Sequence, residues 1–302
     1  MQLAKFTHHT RILIKTLGWL ALPGHCLLCS MPSHRHRDLC RYCEASLPWL
    51  TNCCDICGLP AKPMHAELSA GFAQDFSGTH TTNISGTSNR NSHNRVSRMR
   101  HSSCAQHPRF APITRVVAPL AYADCAAAMV HQQKDRKGAV AARVLAELLG
   151  DALLQCYALE AVRPSLLIPV PLHWRREWQR GYNQSAILAS HLGKRLGLPL
   201  VLNGVRRTRA TLSQQQLDIA DRAANMQGAF SVQKSSLTRK TIANQTVAII
   251  DDVVTTGATA QALALALKQA GAAEIHLWSP TRAILKLTGT PLIQSTREPH
   301  SQ

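Results

Sequence analysis

Past Phe110, short apolar runs take turns with longer stretches in which apolar residues recur every three or four positions. The runs TRVVAPLAY (114–122), SLLIPV (165–170), TVAIID (246–251) and EIHLWSP (274–280) predict strands, the second and third of them buried. Between them GAVAARVLAELLGDALLQCYAL (138–159), NQSAILASHLGKRLG (183–197) and ATAQALALALKQAG (258–271) predict helices. Strands alternating with helices imply an α/β fold with a mainly parallel, doubly wound sheet, and such a sheet binds ligands beyond the carboxyl ends of its strands. We expect this domain to span 111–285 and residues 286–302 to form a tail.

The first third of the chain follows neither period. Its opening, residues 1–22, reads as an amphipathic lead-in segment. Lys15 interrupts the apolar centre of RILIKTLGWLALPGHC and no small-x-small cleavage site follows, so a secretory signal is not expected. His25 stands where a lipidated Cys26 would need a small residue. The chain has no apolar run long enough for a transmembrane segment, and the expectation is a cytoplasmic protein.

Cysteines concentrate in this region as C-x-x-C pairs: Cys26/Cys29, Cys40/Cys43 and Cys54/Cys57. Such a pair places two thiolates on one tight turn, within reach of a tetrahedral Zn²⁺ at about 2.3 Å. A disulfide framework is the competing reading, but a chain without a secretory signal sits in a reducing compartment. Cys26, Cys29, Cys40 and Cys43 are therefore expected to hold one structural zinc. Cys54 and Cys57 need partners, and Cys104 and His107 supply them as a C-x-x-H pair, with Cys53 either spare or part of an alternative register. The zinc-ribbon module would then comprise 23–60 and 104–110. The intervening 61–103, rich in Ser, Asn, Thr, His and Gly, is expected to be a disordered insertion. Loop closure grows only logarithmically with length, so the insertion does not forbid the second site.

Composition adds one constraint. Hydrophobic residues make up 45% of the chain, enough to bury a core, while 34 Lys and Arg against 17 Asp and Glu give a net charge of +17. An anionic partner is the natural inference, whether nucleic acid, phosphorylated metabolite or membrane surface.

The strand at 246–251 ends in two adjacent carboxylates, Asp251 and Asp252, followed by Thr255, Thr256, Gly257, Ala258 and Thr259 at the start of a predicted helix. Backbone amides and threonine hydroxyls there suit a phosphate dianion, and glycine lets the backbone approach it. Two carboxylates beside a phosphate must face something else, such as vicinal ribose hydroxyls or hydrated Mg²⁺. A ribose 5-phosphate with a further leaving group meets both demands. The plainer alternative, a capped helix after a buried strand, leaves the doubled acid and three threonines without a role.

These residues resemble the phosphoribosyl pyrophosphate (PRPP) motif of type I phosphoribosyltransferases. PVPL at 169–172, RGYNQ at 180–184, RTRAT at 207–211, Gln214, Arg222, Asn225 and Phe230, together with the cysteine knuckles, make the chain similar to the ComF/GntX proteins. Those proteins are implicated in DNA uptake (competence) or the use of DNA as a nutrient. The resemblance implies that Asp251 and Asp252 hold the ribose hydroxyls with Mg²⁺ and act as the catalytic pair. It implies that 255–259 bind the 5-phosphate and that Pro169, Val170, Pro171 and Leu172 form the pyrophosphate loop. In such transferases the anomeric carbon gains positive charge as pyrophosphate leaves, which carboxylates and Mg²⁺ stabilise. Arg180 would meet a phosphate, while Asn183 and Gln184 either offer amides or cap the next helix. Two departures stand out: Lys134 is followed by Asp135 where relatives have an aromatic residue, and His107 stands where cysteine is commoner.

Arg175, Arg176, Arg180, Arg207 and Arg209 lie in a stretch whose single acid is Glu177, with Trp174, Trp178 and Tyr182 interleaved. Arginines beside aromatic rings make a platform for single-stranded DNA, unless the tryptophans pack a hinge between ribbon and sheet. The expected function is DNA uptake or utilisation, with PRPP and single-stranded DNA as ligands and uptake machinery at the inner membrane face as a further partner. The alternative is an active phosphoribosyltransferase acting on a base or nucleotide.

Overall fold

A computed structural model describes residues 24–60, 110–134, 138–208, 228–233 and 236–284. The lead-in 1–22, the insertion 61–103, Cys104, His107, Arg209 and the tail 286–302 lie outside the described residues. In chain order the elements are α1 (Arg41–Ala45), β1 (Arg115–Val117), β2 (Leu120–Ala121), α2 (Asp124–Gln132), α3 (Ala139–Cys156), β3 (Leu166–Pro169), α4 (Trp174–Arg180) and α5 (Gln184–Leu196). There follow β4 (Val205–Arg207), β5 (Phe230–Val232), α6 (Ser236–Ile242), β6 (Thr246–Ile250), β7 (Val253–Val254), α7 (Ala258–Gln269), β8 (Glu274–Trp278) and β9 (Thr281–Arg282).

The central sheet runs β1-β8-β6-β3, every pair parallel. It is covered on both faces, and the alternation along its strands says by what. Val247, Ile249, Ile275 and Leu277 pack with Leu263, Ala264 and Leu267 of α7, whereas Ala248, Ile250, Leu167 and Trp278 pack with Leu145, Leu148, Leu149 and Leu153 of α3 and Leu188 and Leu192 of α5. Strands buried on both sides carry no polar face, hence the continuous apolar runs in the sequence. A parallel, doubly covered sheet is the predicted class.

One expected strand proves to be two. The run at 114–122 breaks at Ala118 and Pro119 into β1 and β2, as β6 breaks before β7 at Asp251 and Asp252 and β8 breaks before β9 at Ser279 and Pro280. The three continuations pair in the same order as their parents, β2-β9-β7, again parallel. Asp251 and Asp252 thus occupy the bend at the carboxyl end of a central strand, held by the Asp251 amide on the Trp278 carbonyl (3.1 Å) and the Thr281 hydroxyl on the Asp252 carbonyl (3.1 Å).

The ribbon covers the β1 edge. Val116 N–H donates to the Asp55 carbonyl at 2.7 Å, Leu50 N–H to Pro119 at 2.8 Å and Ala121 N–H to Pro48 at 2.8 Å. Covering an edge strand removes a template for pairing with other chains. The two halves of the ribbon grip opposite faces of the sheet: Cys26, Leu39 and Leu47 join the core under α3 and α5, while Cys54 and Cys57 join the core under α7.

Docking on the α3 side is ionic. Arg37, buried, reaches Glu44 at 2.8 Å within the ribbon, Glu147 at 3.2 Å on α3, and Asp151 of α3; Asp38 pairs with Arg143. Removing the central cation takes from Glu147 its ion-pair partner, while Glu44 keeps Arg35 and Asp151 keeps Arg195; breaking a fully buried pair costs about 3–5 kcal/mol. Since the Asp151 side chain is 38% exposed, water recovers part of this, and we expect Arg37→Ala to lower stability by about 2–3 kcal/mol. Glu147→Gln, which leaves Arg37 two carboxylates, should lose less. Urea unfolding of the zinc-loaded protein measures both, and equal losses would show that Arg37 acts by packing instead of charge.

Candidate functional site

The cysteine knuckles repeat with an offset of 28 residues, and the repeat aligns the second knuckle with the first. His25 bridges Pro32 as Cys53 bridges Pro60. Cys26 N–H donates to Met31 (2.7 Å) as Cys54 N–H does to Leu59 (2.8 Å); Ser30 N–H donates to Cys26 as Gly58 N–H does to Cys54, both at 2.8 Å. Ser30 and Gly58 both have positive φ, 60° and 68°. Cys54 and Cys57 therefore occupy the places of Cys26 and Cys29, and Cys53 occupies that of His25.

In the first set the ligating atoms of Cys26, Cys29, Cys40 and Cys43 lie within 4.8 Å of one another, and the Cys29 and Cys40 sulfurs are 3.8 Å apart. Cys40 also caps α1, accepting from the Cys43 amide at 3.5 Å. Burial would raise the Cys26 thiol, but amides of Cys40, Cys29 and Leu28 outweigh it and hold the thiol down to about 6. Burial and then its three neighbours push Cys43 up instead. One thiolate is thus prepared by backbone dipoles, whereas Cys43 resists ionisation until a cation arrives. Four soft donors on two facing turns fit Zn²⁺ in a closed structural site.

At the carboxyl end of β6, Asp251 and Asp252 are half-buried and adjacent. Burial, and then the negative charge of Asp252, hold the Asp251 carboxyl well above the usual carboxylate range, with Lys134 partly offsetting this. Lys134 Nζ stands 3.6 Å from Asp252, the Ser185 hydroxyl 3.5 Å from Asp251 and the Asp252 amide 2.9 Å from the Asp251 carboxylate. Tyr122, whose hydroxyl meets His131 at 3.0 Å, has its own ionisation raised by burial and by Asp252. An acid pair whose charge is only partly offset suits hydroxyl donors or a hydrated divalent cation, so the residues fit Mg²⁺ with a ribose. Ser185 and Tyr122 carry no motif in the sequence that would single them out.

Beyond the acids, β7 leads through Thr255, Thr256 and Gly257 into α7. The N-cap Gly257 has no side chain to offer, and the Thr256 hydroxyl accepts from the first helical amide, Ala258 N–H, at 3.4 Å; the positive end of the helix dipole lies at the 255–259 turn. Gly257 has φ of 84°, and a Cβ there would lie 2.6 Å from the Phe110 ring. The glycine is thus required by its own conformation and by Phe110; close approach of a phosphate is not needed to explain it. The pyrophosphate-loop candidates Pro169–Leu172 continue β3 beside β6, with Val170 N–H on the Ile250 carbonyl at 2.9 Å. Asn183 is a helix cap, accepting from Ser185 N–H (3.0 Å) and Ala186 N–H (3.4 Å), and its amide donates to the Val170 carbonyl at 3.0 Å. Gln184 is buried.

Residues 174–180 form a helix that periodicity does not predict. Trp174 and Trp178 on it are 63% and 87% exposed, so neither packs a hinge. The Arg175 guanidinium lies 5.2 Å from the Trp174 ring. Arg180 ends the helix before Gly181, and the Tyr182 hydroxyl donates to the Gln133 carbonyl at 2.7 Å. A groove of about 650 Å³ runs alongside, lined by Pro171, Trp174, Tyr182, Asn203, Arg206 and Arg207 among others. Burial, and then repulsion by Arg176, lower Arg207, which Asp251 opposes. Arg206 and Arg207 thus bring positive charge to the wall of this groove.

The chain matches two family models: a double zinc ribbon domain over residues 18–73 and a phosphoribosyl transferase domain over 182–283. It is 30% identical over 267 residues to DNA utilization protein YhgH of Salmonella typhimurium and, at the same identity, to that of Escherichia coli K12, covering 88% of this chain and all of each relative. Competence protein F of Haemophilus influenzae is 36% identical over 142 residues, 47% of this chain and 61% of that protein. Among solved structures, the glutamine PRPP amidotransferase of B. subtilis complexed with ADP and GMP aligns with a TM-score of 0.36 at 19% identity, over 56% of this chain and 35% of that one. Among the described residues no helix is long and apolar enough to cross a membrane.

Proposed function

The chain belongs to the ComF family, in which a double zinc ribbon precedes a phosphoribosyl transferase domain, and on that premise we propose that it serves DNA uptake or utilisation in the cytoplasm by binding Mg²⁺-PRPP and single-stranded DNA. The observation that carries the ligand reading is the acid pair at the β6 bend, with Asp252 six residues before the start of α7 at Ala258. In this reading Asp251 and Asp252 take the ribose hydroxyls or hydrated Mg²⁺, which supplies charge neutralisation for the pyrophosphate when bound. The 255–259 turn takes the 5-phosphate, and Lys134, now on Asp252, is freed for a phosphate. The names of the relatives support the DNA role. Uptake machinery at the inner membrane face is a partner consistent with it.

The groove beside the acid pair favours a second reading, transfer of the phosphoribosyl group to a base or nucleotide seated there. Calorimetric titration with Mg²⁺-PRPP, followed by assay of pyrophosphate release with and without oligonucleotide, separates the two. Binding without release supports the first reading, and steady release supports the second. No PRPP binding at all would remove both.

For the DNA part, exposed Trp174 and Trp178 among arginines predict binding that weakens steeply with salt, because each neutralised phosphate releases counterions. Replacing Arg175, Arg176 and Arg180 by Ala should flatten the slope of log K against log salt by about 0.7 per lost contact, up to about 2 in all. Trp174→Ala should weaken binding about tenfold with the slope unchanged, since stacking releases no ions. Fluorescence anisotropy of a labelled oligonucleotide from 50 to 300 mM salt, roughly the range over which such slopes are read, tests both. Identical slopes in wild type and the triple variant would move the phosphate contacts elsewhere.

A further inference from the structure

Arg282 lies on β9, buried, and its side chain ends among backbone carbonyls from two modules. Its Nε donates to the Cys57 carbonyl at 2.7 Å, and its Nη1 donates to the carbonyls of Val254 at 3.0 Å, Ala283 at 2.9 Å and Thr255. The guanidinium carbon sits 5.7 Å from the centre of the Phe110 ring, the same ring that leaves no room for a Cβ on Gly257. On the other side, a Cβ on Gly58, next to Cys57, would lie 3.6 Å from Arg282 Cδ. One side chain thus joins the second cysteine knuckle, the β7 end and the turn into α7.

A trans peptide points its carbonyl and its N–H to opposite sides. Holding the Val254 and Thr255 carbonyls on the guanidinium therefore turns the following amides, those of Thr255 and Thr256, away from it. These amides belong to the turn assigned to phosphate under the proposed function. We propose that Arg282 is a positioning residue that fastens the phosphate turn to the Cys54/Cys57 knuckle, so that order in that knuckle stiffens the turn. The inference rests on the phosphate reading for its purpose but not for its test. Its chemistry is specific to Arg: a lysine keeps the charge but offers a point donor in place of the planar fork that meets carbonyls on two sides. By linkage, whatever orders the knuckle also favours an anion at the turn, and the converse holds equally.

Amide hydrogen exchange on the full, zinc-loaded chain tests it. In peptides covering 254–259, Arg282→Lys should speed exchange about tenfold, within the usual range of such couplings, and Cys54→Ser should do the same with Arg282 in place. Peptides from β6 and β8 serve as the fold control and should be unchanged. The double variant should be no faster than Arg282→Lys alone, because both act through one link. Wild-type exchange at 254–259 in Arg282→Lys, or additive effects in the double variant, would overturn the proposal. If Arg282→Lys also loosens the control strands, Cys54→Ser decides alone: acceleration at 254–259 supports the link and none refutes it. Mg²⁺-PRPP titrated into the same samples should bind about tenfold more weakly to both variants. Failure of the wild type to bind removes the phosphate reading, and the exchange rates at 254–259 then decide the role of Arg282 by themselves.

Discussion

Serine in place of Cys40 is expected to abolish the first metal centre and release residues 24–47 from the sheet while the parallel core remains folded. Within the ribbon itself little regular structure holds the chain. Its one described helix, α1, is five residues long and contributes no buried residue, far too short to form unaided. Structural zinc in small modules contributes about 10–16 kcal/mol of apparent binding energy, more than a domain's whole net stability. Metal loss should reach beyond the knuckle, because the segment between Cys29 and Cys40 carries Arg35, Arg37 and Asp38, whose ion pairs dock it on Glu44, Glu147, Asp151 and Arg143. Elemental analysis should give about two zinc ions per chain for the wild type and one for Cys40→Ser, if Cys54 and Cys57 are completed by Cys104 and His107. Hydrogen exchange should show 24–47 unprotected in the variant and β6 and β8 unchanged. A metal-free protein with a protected ribbon would sink the structural role of zinc. Acid should act as chelation does, since thiols must lose their protons to bind the metal, and even Cys26, held down to about 6, is reprotonated below that.

The strands and long helices were legible because each buries an apolar run or stripe, and the parallel class of the sheet followed from the alternation of strands with helices. What escaped was held by features that periodicity does not register. Helix α4 has no buried residue and so no apolar stripe; His173 caps its start and Gly181, at φ of 81°, ends it. The β1/β2 break was hidden in one continuous apolar run, although Pro119 in its middle was a signal that a ladder amide was missing. The knuckle register was legible in principle, since Pro32 and Pro60 repeat the 28-residue offset of Cys26 and Cys54. Ser185 reaches Asp251 only through the packing of α5 against β6. Arg282 was beyond sequence reading for a physical reason: it donates to carbonyls, which every residue possesses. Motifs name side chains, and an arginine that grips backbone leaves no pattern to match.

Asparagine at both Asp251 and Asp252 is expected to lower Mg²⁺-PRPP affinity by at least about a hundredfold while making the ligand-free protein more stable. Charged hydrogen bonds contribute about 1.5–3 kcal/mol each, so losing two suffices for the first effect. The second follows from the direction of the Asp251 shift. Burial and Asp252 raise its folded-state pKa above the unfolded value, so the folded protein binds the proton more tightly than the unfolded chain. The resulting stabilisation is complete below the ordinary carboxylate pKa, about 3.9, and is lost as pH rises through the raised folded value. Charging Asp251 in the folded protein is therefore unfavourable, and Asn, which cannot ionise, removes that cost, by about 1 kcal/mol. The same sign governs binding: a cation or hydroxyl donors need Asp251 deprotonated, so affinity should climb with pH through the raised pKa and then level off. Below that level, binding should release a proton, visible as a dependence of calorimetric heat on buffer ionisation enthalpy. Lys134→Ala separates the contributions further. It removes the cation that stands 3.6 Å from Asp252 and holds Asp251 down, so the pH at which affinity levels off should move upward. Unchanged affinity in the double variant, or a pH profile that falls where it is expected to rise, would take the acid pair out of the ligand site and leave it as a strained strand end.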